Sequence, residues 1–358
     1  MSIFFIYNKV ENFNQVIISK KRAEKNLEII KKTLNKKICL MVKSNAYGHG
    51  INTIINITKK YVDFFGVANI NEAINVRKLC DNKILIVGKT FAFKQCLENN
   101  ISLAIESISN LKSLVNFLKN NPSNNCIKIH LKVNSGMNRL GFSSFEKLAL
   151  AFEICEKNNI FVEGIFTHFS TLDCDLKYFN FQLNRFQEFL KKVPKRFDPI
   201  VHIGGSGILN KKINLDYSMA RIGIAFYGYQ KGINVKPILK IKSKIIKVFE
   251  VEKGERVGYS NGLITSQKMK IAIVPLGYGD GVCRNLSNKA FVKINNKKFK
   301  IVGNVCMDMF FVDITGENFE EGHEVVVFDN AKKWAQILGT IPYEILTNFS
   351  LVRWANKF

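Results

Sequence analysis

The sequence predicts an α/β fold, an N-terminal (β/α)8 barrel of the TIM type followed by a mainly-β domain. Three observations carry this. Short, near-continuous apolar runs rich in β-branched residues recur through the first two-thirds of the chain, as the strands of a helix-covered parallel sheet do. Segments with helical spacing of apolar residues lie between them, and eight such runs give the strand count of a closed barrel. After about residue 230 the helical pattern gives way to strand-like segments. An open doubly wound sheet is the competitor, but it wants a glycine-rich fingerprint after its first strand. "SNAYGHG" (44–50) is not G-x-G-x-x-G.

The runs in order are "KICLMVKS" (37–44), "FFGVA" (64–68), "ILIVG" (84–88), "LAIES" (103–107), "CIKIHLKV" (126–133), "VEGIFTHF" (162–169), "IVHIGG" (200–205) and "ARIGIAFYG" (220–228). Between them "NEAINVRKLC" (71–80), "ISNLKSLVNFLKN" (108–120), "SFEKLALAFEICEKNN" (144–159) and "LKYFNFQLNRFQEFLKKV" (176–193) read as helices. The last keeps Phe179, Leu183, Phe186 and Leu190 at helical spacing, a core stripe. Further on, "ILKIKSKIIKVFEV" (238–251), "KIAIVPLGYG" (270–279), "AFVKINNKKFKIVGNVCM" (290–307) and "MFFVDI" (309–314) read as strands, and "INNKK" as a hairpin turn. A late helix is expected at "AKKWAQIL". The expected division is a barrel over 16–230 and a β domain over 231–358, with 1–15 packing on the latter.

Composition bounds the function. Lys and Arg outnumber Asp and Glu by 53 to 29, which invites a nucleic-acid reading. The lysines are scattered and mixed with Asn and Ile, without a dense basic run among aromatics. Such charge speaks to solubility rather than to a site, so no nucleic-acid partner is expected. The eight cysteines include no C-x-x-C pair and fall mostly in apolar runs, as small hydrophobes in a reducing compartment. No His, Cys, Asp and Glu cluster has metal spacing, so no metal is expected. "MSIFFIYNKVENF" lacks the basic region and long apolar core of a signal peptide. No apolar run approaches the ~20 residues of a membrane span. The expectation is a cytoplasmic protein with no membrane partner.

Residues at C-terminal strand ends line the active site of such a barrel, and Lys43 ends the first run. A lysine held against an apolar wall loses its proton more readily, because burial disfavours the charge. The neutral amine is a nucleophile that condenses with aldehydes. The bland alternative is a lysine that merely tops a strand. Downstream, "GGSG" (204–207) ends the seventh run and "RIGIAFYG" (221–228) forms the eighth. Barrels frequently build phosphate sites after strands seven and eight. An aldehyde and a phosphate in one cofactor is pyridoxal 5'-phosphate.

At this point "VKSNAYGHG" resembles the cofactor-lysine signature of the alanine racemase family. "LKVNSGMNRLGF" (131–142), "FTHFS" (166–170), "VHIGGSG" (201–207), "ARIGIAFYG", "KGERVGYS" (253–260), "PLGYGDG" (275–281), "IVGNVCMDM" (301–309) and "TIPYEIL" (340–346) resemble further family motifs in the same order. The resemblance runs from about residue 16 to 347. It implies a pyridoxal phosphate enzyme of fold type III that interconverts L- and D-alanine, supplying D-alanine for peptidoglycan. Lys43 would carry the cofactor and act as the base for the D isomer, with Tyr259 as the base for the L isomer. A tyrosine of ordinary acidity is a poor base at neutral pH. His168 matches the group that supports it, with Arg221 behind. Arg221 also matches the residue facing the pyridine nitrogen, where a permanent cation discourages ring protonation and with it transamination. Tyr47, Ser206, Gly223 and Ile224 match phosphate-binding positions. Arg139 and Met307 match substrate-carboxylate positions, Tyr278 resembles a tyrosine that lines the entry channel, and Lys132 matches a lysine that is often carbamylated and holds Arg139. The family completes its site across a homodimer, so Tyr259 and Met307 would come from the partner.

Asn134 stands for a usual Asp, Gly205 for a usual Asn, Ser260 for a common Gly, and Leu351 for a phosphate tyrosine of some members. Of the remaining histidines, His49 and His202 are candidates for a supporting role with a purely structural one as the alternative, and His130 and His323 are expected to be structural or on the surface. Rival readings are a broader amino-acid racemase, a decarboxylase of basic amino acids and a non-catalytic pyridoxal phosphate carrier. The decarboxylase would place a carboxylate where Arg221 stands, and the carrier would lack the β domain and Tyr259.

Overall fold

The computed structural model describes residues 4–8, 13–123, 125–211 and 213–349. Its contacts divide into two compact units. One takes 24–44 and 54–235; the other takes the described residues within 1–23, 45–53 and 236–358.

β1 (Phe4–Asn8) and β2 (Gln15–Ser19) pair antiparallel. The expected boundary at residue 16 falls inside β2, which joins a strand of the second unit more than 200 residues later. The barrel follows: β3 (Lys37–Met41), β4 (Phe64–Val67), β5 (Lys83–Ile86), β6 (Ser102–Ile105), β7 (Lys128–Lys132), β8 (Phe161–Phe166), β9 (Ile200–Gly204) and β10 (Met219–Ile222). Each pairs in parallel with the next, and β10 pairs with β3 to close the ring. The strand residues are buried almost without interruption, because the inner face packs on itself and the outer face lies under helices. Asn69, Ser107, Ser144 and Asp175 cap four of those helices by accepting a backbone N–H from the residue three on. Helix Leu176–Leu190 buries Phe179, Leu183, Phe186 and Phe189. Phe189, not the expected Leu190, completes the stripe.

The second unit continues with β11 (Leu239–Lys244), β12 (Lys247–Val251), β13 (Arg256–Val257), β14 (Leu263–Ile264), β15 (Met269–Val274), β16 (Phe291–Ile294), β17 (Lys297–Val302), β18 (Phe310–Asp313) and β19 (Glu324–Phe328). Its nine-stranded sheet has the order β1-β2-β11-β19-β16-β17-β18-β15-β12. β2, β11 and β18 alternate buried and open positions, the pattern of an antiparallel sheet with one covered face. β16 and β17 turn on Asn295 and Asn296, both at positive φ, as a two-residue hairpin requires. Val251, Val257, Met269, Ile271 and Val302 form one core cluster. Helices Ala331–Leu338 and Pro342–Asn348 follow β19. Among the described residues no helix is long and apolar enough to cross a membrane.

Candidate active site

The parallel strands deliver six of the expected residues to one rim. Lys43 lies two residues past β3, Lys132 ends β7, and His168 lies two past β8. Ser206 lies two past β9, and Gly223 and Ile224 follow β10 directly. This is the C-terminal rim on which barrel enzymes build their sites.

Lys43 opens a single helical turn, Lys43–Tyr47. Ser44, Asn45, Ala46 and Tyr47 all have φ between 52° and 54°, so the turn is left-handed. For L residues that costs roughly 1–2 kcal/mol each, and such strain concentrates at functional sites. Glu72 pins the start, accepting the Ser44 N–H at 2.7 Å and the Ala68 N–H at 2.7 Å. Nothing in "KSNAY" announces this handedness. Burial, then the Arg139 cation, holds the Lys43 ammonium below its ordinary proton affinity, with Glu72 opposing.

The rest of the rim is cationic. Arg221 is buried, and burial pulls its guanidinium down to about 10, still charged at neutral pH. It donates to His202 Nδ1 at 2.8 Å and to the Thr167 carbonyl at 2.6 Å, and stacks 4.5 Å over the Phe166 ring. His202 thus supports Arg221. Burial and then the neighbouring cations Arg221, Arg139, Lys132 and Lys43 push His168 down to about 3, so its imidazole is neutral. Burial, Arg221 and Arg139 bring Lys132 to about 8, Glu106 opposing and Lys43 adding to the depression. Its Nζ reaches the Val87 carbonyl at 3.4 Å. Ser206 Oγ accepts the N–H groups of Gly223 at 3.2 Å and Ala225 at 3.1 Å. That leaves its own O–H to donate, beside backbone that turns outward.

Tyr47, Tyr259, Tyr278 and Met307 belong to the second unit. Tyr47 is buried, its ring 5.8 Å from that of Tyr343. His49 Nδ1 bonds the Tyr47 carbonyl at 2.8 Å, and burial takes it to about 4, so His49 supports this loop. Tyr259 sits in the β13–β14 connection, with Ser260 and Asn261 at φ 53° and 52°. Ser260 therefore adopts the conformation expected of a glycine. Asn304 Nδ2 bonds the Tyr259 carbonyl at 2.8 Å. The Tyr278 N–H donates to Cys306 O at 3.0 Å and the Gly279 N–H to Met307 O at 2.9 Å, which ties the two loops together. Tyr259, Met307 and Tyr278 are 70%, 55% and 41% exposed.

Of the departures, Asn134 keeps the turn, its Oδ1 accepting the Gly136 and Asn138 N–H groups at 3.1 and 2.9 Å. Leu351 lies outside the described residues.

A barrel that gathers an amine of lowered basicity, a buried guanidinium and a hydroxyl-backed cradle on one rim is an enzyme built for an anionic, amine-reactive ligand. Residues 18–231 match the family model "Alanine racemase, N-terminal domain", and residues 238–354 match "Alanine racemase, C-terminal domain". The chain belongs to the alanine racemase family. A protein of Borreliella burgdorferi named alanine racemase is 34% identical over 95% of this chain and 96% of its own. The solved alanine racemase of Clostridium difficile 630 is 31% identical, with a TM-score of 0.84 over 91% of this chain and 90% of that one. The alanine racemase of Bartonella henselae, solved with covalently bound pyridoxal phosphate, is 25% identical, with a TM-score of 0.86 over 94% and 97%.

Proposed function

We propose that this chain interconverts L- and D-alanine with pyridoxal phosphate as cofactor, one base acting on each face of the substrate. The observation that carries the reading is the rim itself. Lys43, with its proton affinity lowered, shares one cluster with the cations Arg221, Arg139 and Lys132 and with the neutral His168. The donor set fits the cofactor. An amine meets its aldehyde, and the Ser206 hydroxyl, which accepts the Gly223 and Ala225 N–H groups, keeps its own O–H to donate to the phosphate. Arg221, which only donates, suits a ring nitrogen that must stay unprotonated. Bound pyridoxal phosphate supplies the electron sink that makes the α-hydrogen of an attached amino acid acidic.

The chain's own residues do the rest. Lys43 Nζ takes or returns the α-proton on one face. Tyr259 Oη does so on the other, because inversion needs removal and return from opposite sides. Neutral His168, with Arg221 behind it, accepts or donates one hydrogen bond to that phenol. Arg139 and the Met307 backbone hold the substrate carboxylate, and Tyr278 lines the approach. Tyr259 and Met307 act in the partner's site, so the working form is a homodimer.

The test follows α-deuterium exchange and chirality with L-alanine in heavy water. The wild type should yield deuterated D-alanine. Tyr259→Phe should lose interconversion by about 10²–10⁴-fold, the usual worth of one acid–base group, while Lys43 still exchanges the α-proton of D-alanine. Bound yellow cofactor with no D-alanine from any small amino acid would sink the racemase reading.

A further inference from the structure

Arg221 ends a continuous polar chain through the barrel interior. His202 Nδ1 lies 2.8 Å from Arg221, His202 Nε2 lies 2.8 Å from His130 Nδ1, and His130 Nε2 lies 3.1 Å from Glu163 Oε2. Glu163 also accepts Ser102 Oγ at 2.5 Å and Lys83 Nζ at 2.8 Å. Both imidazoles are fully buried, and Glu163 is 4% exposed. Phe166 stacks on His202 with ring centres 4.6 Å apart. Two strand glycines make room. A Cβ at Gly164 would lie 2.2 Å from His130 Nδ1, and one at Gly204 would lie 2.2 Å from a guanidinium nitrogen of Arg221.

The chain has one proton order, and both ends dictate it. A guanidinium only donates, so His202 Nδ1 accepts and its hydrogen sits on Nε2. A carboxylate only accepts, so His130 donates from Nε2 and its Nδ1 accepts. The middle bond then runs from His202 Nε2–H to His130 Nδ1, with no conflict. A further proton on either ring would set two N–H groups face to face. Burial lowers the proton affinity of both rings. It opposes the charge on Glu163, but the hydrogen bonds from His130, Lys83 and Ser102 outweigh it and hold the carboxylate at about 2.

We propose that Glu163 is a positioning residue for the reaction: through the ordered His130 and His202 imidazoles its carboxylate fixes Arg221 as a charged donor toward the cofactor ring. The structural half stands alone; the effect on the reaction rests on the proposed function. Replacing the carboxylate by an amide gives the chain an N–H at the wrong end. Lys83 requires the amide's oxygen, so its NH₂ faces His130. Both tautomers then reverse, and His202 presents an N–H to the Arg221 donor.

The test uses cofactor-loaded protein with ¹⁵N-labelled histidine. In the wild type, NMR should show hydrogen on Nε2 of both His130 and His202. In Glu163→Gln both should move to Nδ1 together. In the same variant kcat for racemisation should fall about tenfold at nearly unchanged KM, the size of one hydrogen bond lost in the transition state. Pyruvate should rise about tenfold relative to D-alanine, as the substrate's amino group passes to the cofactor and its α-carbon becomes a ketone. Glu163→Asp keeps the charge and should keep the wild-type tautomers. Hydrogen on Nδ1 of His202 in the wild type overturns the proposal, and this arm holds even if Glu163→Gln does not fold. An unchanged His202 tautomer in Glu163→Gln overturns it as well. Absence of racemisation in the wild type would defeat the proposed function while the tautomers still judge the chain.

Discussion

Lys132 stands among cations, and an unmodified ammonium has no reason to hold Arg139. Two like charges repel, and an ammonium cannot accept a guanidinium hydrogen bond. Carbamylation removes the conflict: the neutral amine adds carbon dioxide, releases a proton and becomes an acceptor of negative charge. Only the neutral amine reacts, and burial with Arg221 and Arg139 brings Lys132 to about 8. Below that value the side chain is mostly protonated; at its ordinary value near 10.4 almost none would be neutral at pH 7. We therefore predict that a carbamate carbon signal from ¹³C-bicarbonate strengthens as pH rises from about 6 to 8.5, and is absent in Lys132→Arg. A signal that is flat with pH, or present in the variant, would refute the assignment. Lys43 was legible in the sequence because a charge at the end of an apolar run has to be explained, whereas Lys132 and Arg221 stood out only through the family resemblance. The chain behind Arg221 was not legible. His130, Glu163 and His202 each appear as one polar residue inside a separate strand, and only the barrel's closure makes them neighbours. The available signal was the cost of burying a lone carboxylate in "VEGIF", which demands partners.

Gly205 shows how a connection after a strand is tuned. It sits at φ 114° beside Ser206, and a Cβ there would lie 2.4 Å from Leu172 Cδ1. Leu172 is itself buried and has little room to yield. Leu172 thus occupies the volume that the family's usual Asn side chain would need. Gly205→Asn should destabilise the protein by about 1–3 kcal/mol through overpacking and strain. In a Leu172→Ala background the same change should cost at least ~1 kcal/mol less, the coupling of residues that share one space. Urea melts of the four proteins measure this, and additive costs would show that Leu172 is not the obstacle. The eight strands and four of the covering helices were readable because their periods are strong. The left-handed turn at Ser44–Tyr47 was not, since of its residues only Asn45 readily takes positive φ, and then as a single residue rather than in a run of four. Nor was the place of β2. Its alternation suits any sheet, and its partner β11 lies far along the chain.

The exposure of Tyr259 bears on how the molecule is assembled. A group proposed to move the α-proton is 70% exposed in its own chain, and Met307 is 55% exposed. Burying a phenol away from water works against ionising it, so a surface that covers such a base has to supply positive charge in water's place. The rim around Lys43, His168 and Arg221 is such a surface, and a two-fold dimer lets each subunit complete the other's site. Complementation decides this. Neither Lys43→Ala nor Tyr259→Phe homodimers should racemise alanine. After the two are unfolded together and refolded as a mixture, about half of the dimers should be mixed, each with one intact site of two. Activity should then return to about a quarter of wild type. If each site were complete within one chain, every site in the mixture would lack one base and the mixture would stay as inactive as its parents. Recovery that disappears when the Tyr259→Phe chain also carries Lys43→Ala would tie the regained activity to Lys43 of the Tyr259→Phe chain, because no Lys43 then remains in any of the dimers.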